Sequence, residues 1–202
     1  MGILNDVKAI TISDEVAADD DFIVTAARPN TSATIANSSF ASGGARILNV
    51  TTTGTGDNGK TNTIVGTDVF GDALTEVITS TGSAEAVAGT KYFKTITSVT
   101  SSAQFAANLK VGSTASASQA IFGGRTRLQG MSIVSGGTAG VIQFYDGTPD
   151  SGTVLFKART IGTDNTTEDY YLPAGILFAS GMSVQYTIGT IDMMTFYYAL
   201  GV

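Results

Sequence analysis

The chain has 202 residues, a formal net charge of −6 at pH 7, and charged side chains at only 14% of its positions. It contains no cysteine, histidine or tryptophan, which excludes disulfides, thiolate nucleophiles, imidazole bases and most zinc sites. The Lys and Arg residues are scattered rather than clustered, so we expect no nucleic-acid partner.

The composition favours an all-β protein. Glycine occupies 24 positions, well above the roughly 7% of an average protein, and proline only 3. Threonine, serine and valine are abundant, as is typical of strands joined by tight turns. No window shows a convincing helical period.

The first half of the chain predicts a β-domain at residues 1–115 that begins with an irregular N-terminal arm. Short strands are plausible at 9–12 and 22–26 within this arm. β-Branched runs separated by turn residues then follow at the spacing of a small sandwich or barrel. They cover residues 46–53, 61–67, 73–79, 92–100 and 108–112.

The second half predicts another β-domain at residues 120–202. The small, polar segment 113–120 (STASASQA) is interpreted as the linker. Strands are predicted at 125–134, 141–145, 153–160, 169–172, 176–179, 182–188 and 193–200. Strict alternation of Met182, Val184, Tyr186 and Ile188 is typical of a half-buried antiparallel strand. The fold class expected is two small antiparallel β-sandwich or jelly-roll-like domains joined by a short linker.

No membrane segment or secretory signal is expected. The N-terminus lacks a basic segment followed by an apolar run. The uncharged run 170–191 is long enough to span a bilayer, but Pro173 and several glycines interrupt it, which favours two strands.

The segment GTGDNGKT at 54–61 fits the phosphate-binding pattern G-x-x-x-x-G-K-[ST]. Such a loop delivers phosphate to a helix N-terminus, yet the following TNTIVGT is β-branched. Asp57, Asn58 and Gly59 tolerate positive φ and suit a hairpin between two Thr-rich strands. We therefore predict a turn and no nucleotide cofactor.

The carboxylates predict no catalytic or metal residue. Glu76 shares a strand face with Leu74 and Ile78, so burial would require a cation or hydrogen-bond donors, and an ion pair is favoured. Calcium is conceivable at Asp19–Asp21 or Asp146–Asp150, but neither has the spacing of a calcium-binding helix-loop-helix.

The C-terminal half carries an aromatic set with two interpretations: Tyr145, Tyr170, Tyr171, Tyr186, Phe196, Tyr197 and Tyr198. Tyr186, Phe196 and Tyr198 are expected in the core. Because neighbours in a strand face opposite ways, Tyr197 and Tyr198 cannot both be buried there. An oligomer contact is favoured over a sugar-binding platform, with Tyr170, Tyr171 and Tyr197 as the stacking candidates.

Four segments of the N-terminal half carry a resemblance to a module of tailed-bacteriophage structural proteins. They are 18–21 (ADDD), 43–46 (GGAR), 64–68 (IVGTD) with Gly71 and Glu76, and 91–99 (KYFKTITSV). This pattern covers residues 15–112. The second half resembles the small β-domains attached to phage heads and tails, through 127–135 (RLQGMSIVS) and 171–176 (YLPAGI).

The resemblance implies a non-enzymatic structural component of the virion, assembled in the host cytoplasm. The role expected first is a capsid decoration protein that stabilises the head and contacts the major capsid protein or other virion proteins. A homo-oligomer, with a trimer as the working expectation, would multiply weak contacts. The alternatives are a neck, tail or fibre-base adaptor or receptor binder, and a carbohydrate-binding adhesin module.

Overall fold

The protein is all-β over the residues that the computed structural model describes, 7–14 and 17–200. Those residues form fourteen strands and one 3-10 turn, Thr55–Asp57, and no α-helix. Nothing helical in this part of the chain approaches the length and hydropathy needed to cross a membrane. The strands are β1 (Val7–Ser13), β2 (Val24–Ala27), β3 (Ala45–Thr52), β4 (Thr61–Thr67), β5 (Ala73–Thr79), β6 (Val87–Phe93), β7 (Thr95–Ser101), β8 (Leu109–Phe122), β9 (Thr126–Ser135), β10 (Ala139–Asp146), β11 (Thr153–Ile161), β12 (Thr166–Phe178), β13 (Met182–Thr187) and β14 (Ile191–Leu200).

The chain divides into two compact units. Unit 1 comprises Met1–Glu15 and Ser118–Val202, and unit 2 comprises Val16–Ala117. The division falls inside β8, which contributes residues to both units.

Unit 1 is built from antiparallel strands on two sides of an aromatic core. A four-stranded sheet has the order β1-β14-β9-β12, and β11, β10 and β13 are consecutive neighbours in a second sheet. The rings of Phe144 on β10 and Phe196 on β14 meet edge to face at 5.7 Å between centroids. Both side chains are fully buried, so this contact packs the two sheets against each other.

Unit 2 contains a three-stranded antiparallel sheet of order β5-β4-β7, together with the antiparallel pair β3–β6 and strand β2 on β8. Its core is aliphatic and phenylalanine-rich, since alternate residues of each strand point inward. The cluster includes Leu48, Ile64, Phe93, Val99 and Phe105, all almost completely buried.

The segment predicted as a linker is a strand. Residues 113–120 lie within β8, and Ser113, Ala117 and Ser118 are buried there. The small side chains mark tight packing rather than flexibility. A side chain on the adjacent Gly112 would lie 2.1 Å from the carbonyl oxygen of Asp19, so only glycine allows that approach.

The predicted N-terminal boundary was also wrong. Residues 7–13 form strand β1, which pairs antiparallel with β14 and places Ile10 opposite Phe196. This segment therefore belongs to unit 1 together with the C-terminal half, and not to the domain 1–115. The pairing joins residues at least 180 positions apart, which no local pattern reveals.

Two further strands differ from their predictions. The run 92–100 is broken at Lys94 into β6, which pairs with β3, and β7, which pairs with β4. Conversely, the predicted strands 169–172 and 176–179 merge, apart from residue 179, into the single strand β12. This strand keeps its pairing with β9 while residues 172–175 bulge out. The alternating run is confirmed in part. Met182, Val184 and Tyr186 are buried on β13, but Ser183 is buried too and Ile188 lies beyond the end of the strand.

Candidate functional site

The segment GTGDNGKT folds around the buried carboxylate of Asp57. Asp57 ends the 3-10 turn and is 0% exposed. Its carboxylate accepts hydrogen bonds from the Thr52 hydroxyl at 2.8 Å and from the backbone N–H groups of Ala106 and Ala107, and it pairs with the Lys60 ammonium at 2.8 Å. Burial alone would raise the pKa of Asp57, but the Lys60 ion pair and these donors lower it far below its ordinary value.

This arrangement occupies the lysine that a phosphate-binding loop would aim at its ligand. The Lys60 ammonium also donates to the Gln104 carbonyl oxygen and lies 5.3 Å from the centre of the Phe105 ring. The turn prediction is confirmed, with Gly59 at φ +78°. The hairpin interpretation is wrong, because the strand before the turn pairs with β6 and the strand after it pairs with β5 and β7.

Glu76 lies on a buried face, as predicted, but hydrogen-bond donors rather than a cation compensate its charge. It is 9% exposed, and its carboxylate accepts hydrogen bonds from the Thr90 N–H at 2.7 Å, the Thr90 hydroxyl and the Lys91 N–H. No salt bridge to Glu76 occurs among the described residues. Gly89 makes room for this contact, since a side chain there would lie 2.4 Å from a Glu76 carboxylate oxygen.

Asp68 organises the turn within residues 66–71 (GTDVFG). One carboxylate oxygen accepts hydrogen bonds from the backbone N–H groups of Phe70, Gly71 and Asp72, each at 2.9 Å. Gly71 has φ +98°, a conformation that glycine adopts without strain. The motif residues Asp68, Gly71 and Glu76 thus hold strands together.

The calcium candidate at Asp19–Asp21 is a cluster of carboxylates near the surface that forms salt bridges with a lysine. The three carboxylates lie within 4.8 Å of one another. The Lys110 ammonium is 3.2 Å from the Asp20 carboxylate and 4.0 Å from that of Asp21. The second candidate segment uses the Asp146 carboxylate to accept a hydrogen bond from the Ser180 N–H.

The feature of unit 1 best suited to bind another molecule is a groove of about 500 Å³ on the outer face of the four-stranded sheet. We call it the tyrosine groove. It brings together the three tyrosines predicted as stacking candidates. Its lining residues are Val7, Gln129, Gly130, Met131, Asp169, Tyr170, Tyr171 and Tyr197.

Strand register explains the shape of the tyrosine groove. Tyr197 on β14 pairs with Gly130 on β9, and Gly130 pairs with Tyr171 on β12. Partners in register point to the same face, so two tyrosines flank a position that has no side chain. Tyr171 is 84% exposed and Tyr197 is 43% exposed. Two strand spacings place their backbones about 10 Å apart.

The groove also contains two polar groups that were not predicted from the sequence. Tyr197 pairs with Gly130 while Tyr198 pairs with Leu128, which leaves Gln129 as the extra residue of a β-bulge. Asp169 precedes Tyr171 by two positions and lies on the same outer face. No hydrogen bond or ion pair among residues 7–14 and 17–200 occupies the Asp169 carboxylate or the Gln129 amide.

Three aromatic residues lie in the core, as expected. Tyr186 and Phe196 are fully buried and Tyr198 is 8% exposed, which confirms that Tyr197 and Tyr198 face opposite ways. Tyr170, predicted as a stacking candidate, is instead half-buried beneath the groove, packs edge to face on Phe156, and donates a hydrogen bond to the Glu168 carboxylate at 3.0 Å. Burial, and then the Glu168 carboxylate, raise the pKa of Tyr170, so its hydroxyl stays neutral at physiological pH.

Comparison of the chain with protein-family models, with curated proteins and with solved structures found no match. The resemblance to phage structural proteins therefore stays a prediction that rests on the motif residues themselves.

Proposed function

We propose that this protein is a non-enzymatic structural component of a tailed-bacteriophage particle, and most concretely a decoration protein of the head. The observation that carries this proposal is that Asp68, Gly71 and Glu76, which belong to the phage-like pattern, all have structural roles. Asp68 and Glu76 bind backbone N–H groups inside unit 2, and Gly71 completes the turn. Motif residues that stabilise a fold are expected in a family of structural proteins, whereas the motif residues of an enzyme family would include catalytic groups.

The buried carboxylates support the same conclusion. Asp57, Asp68 and Glu76 are buried, and burial can make a carboxylate suitable as an acid or a base. Asp68 binds the backbone of its own turn through one oxygen. The Asp57 carboxylate accepts two donors at each oxygen, and the Glu76 carboxylate accepts three donors, so both are engaged within the protein. We propose for both units the finer arrangement of jelly-roll-like sandwiches, an architecture widespread in capsid proteins.

Strand β11 supplies a means of docking on the particle. It lies at the edge of its sheet, with β10 as its one neighbour in the strand order. An edge strand presents unpaired N–H and C=O groups that can pair with a strand of another protein. Leu155 and Ile161, both substantially exposed on β11, add apolar contact area. The partner proposed is a strand of the major capsid protein.

Co-sedimentation of the purified protein with particles tests this proposal. The wild-type chain should sediment with the particles and saturate at a fixed ratio. Replacing Lys157 on β11 by proline removes one backbone donor and should weaken sedimentation at least tenfold. The matched control, Thr11→Pro on edge strand β1, should sediment like wild type. Failure of the wild-type chain to bind would overturn the proposal, and equal binding of both variants would exclude β11 as the docking edge.

The alternative position at the neck, the tail or the base of a fibre uses the same contacts at a lower copy number. Stoichiometry on the particle therefore separates these two positions. Association into a homo-oligomer, with a trimer as the first expectation, belongs to the same proposal because symmetry multiplies weak contacts.

A further inference from the structure

We propose that the tyrosine groove of unit 1 is a binding site for a neutral, β-linked pyranose oligosaccharide. This inference goes beyond the structural role proposed above and does not depend on it. It rests on the geometry of Tyr171, Gly130 and Tyr197 in one row of the sheet and on the free polar groups beside that row.

The two tyrosines provide the stacking surfaces. A pyranose with equatorial hydroxyls has C–H groups on both flat faces, and these pack on aromatic rings. The separation of about 10 Å between the tyrosine backbones leaves space for one sugar ring to lie over the glycine between them. A side chain at position 130 would fill this space, and it would also lie 2.8 Å from the carbonyl oxygen of Tyr170.

The polar groups beside the rings match the edge of a sugar. The Asp169 carboxylate accepts hydrogen bonds, and the Gln129 amide both donates and accepts them. Sugar hydroxyls are donors and acceptors as well, so both groups can be satisfied when the ligand excludes water. The lining includes one carboxylate and no cation, which disfavours sulfated, phosphorylated or acidic sugars.

Asp169 also argues against the other ligand that aromatic grooves commonly bind, a proline-rich peptide. Proline has no N–H group, so such a peptide would cover the Asp169 carboxylate without offering it a donor. A purely apolar partner surface would likewise cover the Asp169 carboxylate without offering it a hydrogen-bond donor. A sugar is the ligand that satisfies both the rings and the carboxylate.

The test is an NMR titration of the ¹⁵N-labelled full chain with cellohexaose and with hexa-N-acetylchitohexaose. Either sugar should shift amide resonances of β9, β12 and β14 around the groove. Tyr171→Ala and Tyr197→Ala should each weaken binding about fivefold, consistent with the loss of one aromatic contact. Tyr171→Phe keeps the ring and should bind within about twofold of wild type by the same reasoning. The matched control Ile161→Ala removes an exposed apolar side chain from β11 and should bind like wild type.

Unchanged thermal unfolding of each variant would show that it folds. The proposal would be overturned if neither sugar binds, or if binding survives both tyrosine substitutions. It would also be overturned if a proline decapeptide binds in place of the sugars. Self-association of the wild-type chain that Tyr171→Ala and Tyr197→Ala abolish, without any sugar binding, would make the groove a contact between copies and equally overturn it. None of these results depends on whether the chain sediments with phage particles.

Discussion

The two units use their polar and aromatic side chains in opposite ways. In unit 2 the carboxylates of Asp57 and Glu76 are turned inward and bound by donors of the protein. In unit 1, Tyr171 and Tyr197 are turned outward beside a carboxylate, that of Asp169, with no partner among the described residues. Buried charges that are satisfied stabilise a fold, whereas exposed aromatics beside unsatisfied polar groups remain available for a ligand.

This difference shows why the most motif-like segment of the chain is not its binding site. GTGDNGKT attracts attention because it contains glycines and a lysine, but Lys60 is bound by Asp57 and by the Gln104 carbonyl oxygen. The tyrosine groove matches no ligand-binding motif, although Gln129, Gly130 and Tyr171 lie in the two segments that resemble phage β-domains. Substitutions in the two regions can test whether Asp57 and Glu76 stabilise the fold while Tyr171 and Tyr197 bind a ligand.

The largest effect is expected for Asp57→Ala. This change leaves Lys60 and two backbone N–H groups without their acceptor, and we expect a loss of about 3–5 kcal/mol in the free energy of unfolding. Urea unfolding followed by circular dichroism measures it. The control Glu85→Ala removes an exposed carboxylate and should stay within about 0.5 kcal/mol of wild type. Equal stabilities for the two variants would contradict a structural role for Asp57.

Neighbouring tyrosines in β14 offer a matched pair. Tyr198 packs in the core with its ring 5.9 Å from that of Phe122, so Tyr198→Ala should cost about 3 kcal/mol of stability. Tyr197→Ala should cost less than about 1 kcal/mol, because its ring is partly exposed. A comparable loss from both variants, measured by thermal unfolding, would show that the tyrosine groove is part of the core packing.

A smaller effect is expected for Glu76→Gln. The amide keeps the size of the side chain but replaces one carboxylate oxygen, which faces donors, by an NH₂ group. Hydrogen bonds to a charged acceptor contribute about 1.5–3 kcal/mol, so a loss at the lower end of this range is expected. The matched substitution of an exposed residue, Glu85→Gln, should leave the free energy of unfolding unchanged in the same experiment. If Glu76→Gln also leaves the free energy of unfolding unchanged, the carboxylate charge does not stabilise unit 2.

Acid should weaken unit 2 through Asp57. Its pKa in the folded protein lies below its ordinary value of 3.8. Its stabilising contribution is therefore complete above the unfolded pKa and is lost progressively as the pH falls below about 4. Asp57→Asn should flatten this part of the stability profile. If the wild type and Asp57→Asn lose stability in parallel between pH 5 and about pH 2, other carboxylates control acid unfolding.

Local pattern predicted much of the fold but little of the groove. Alternation along Met182, Val184 and Tyr186 identified β13 and its buried face, and the strand around Glu76 identified the buried carboxylate. The part of strand β8 after Gly112 escaped prediction because serine and alanine carry no hydrophobic alternation. Its burial follows from the approach of another segment to Gly112.

The tyrosine groove could not be predicted because it depends on register between distant strands. The groove forms only when β9 pairs with β12 on one side and with β14 on the other, which brings together Tyr171, Gly130 and Tyr197. The bulge at Gln129 sets the register of both pairings. One signal was present in the sequence. A glycine inside a predicted strand, as at position 130, often marks a bulge or a close approach.

The most direct test of the proposed function is the copy number of the protein in purified phage particles, measured by quantitative mass spectrometry against the major capsid protein. A head decoration protein should reach a fixed fraction of the capsid protein that corresponds to the symmetry of the lattice. A ratio equal to one ring or one set of fibres would move the protein to the neck or tail. Absence of the protein from the particles would contradict the account.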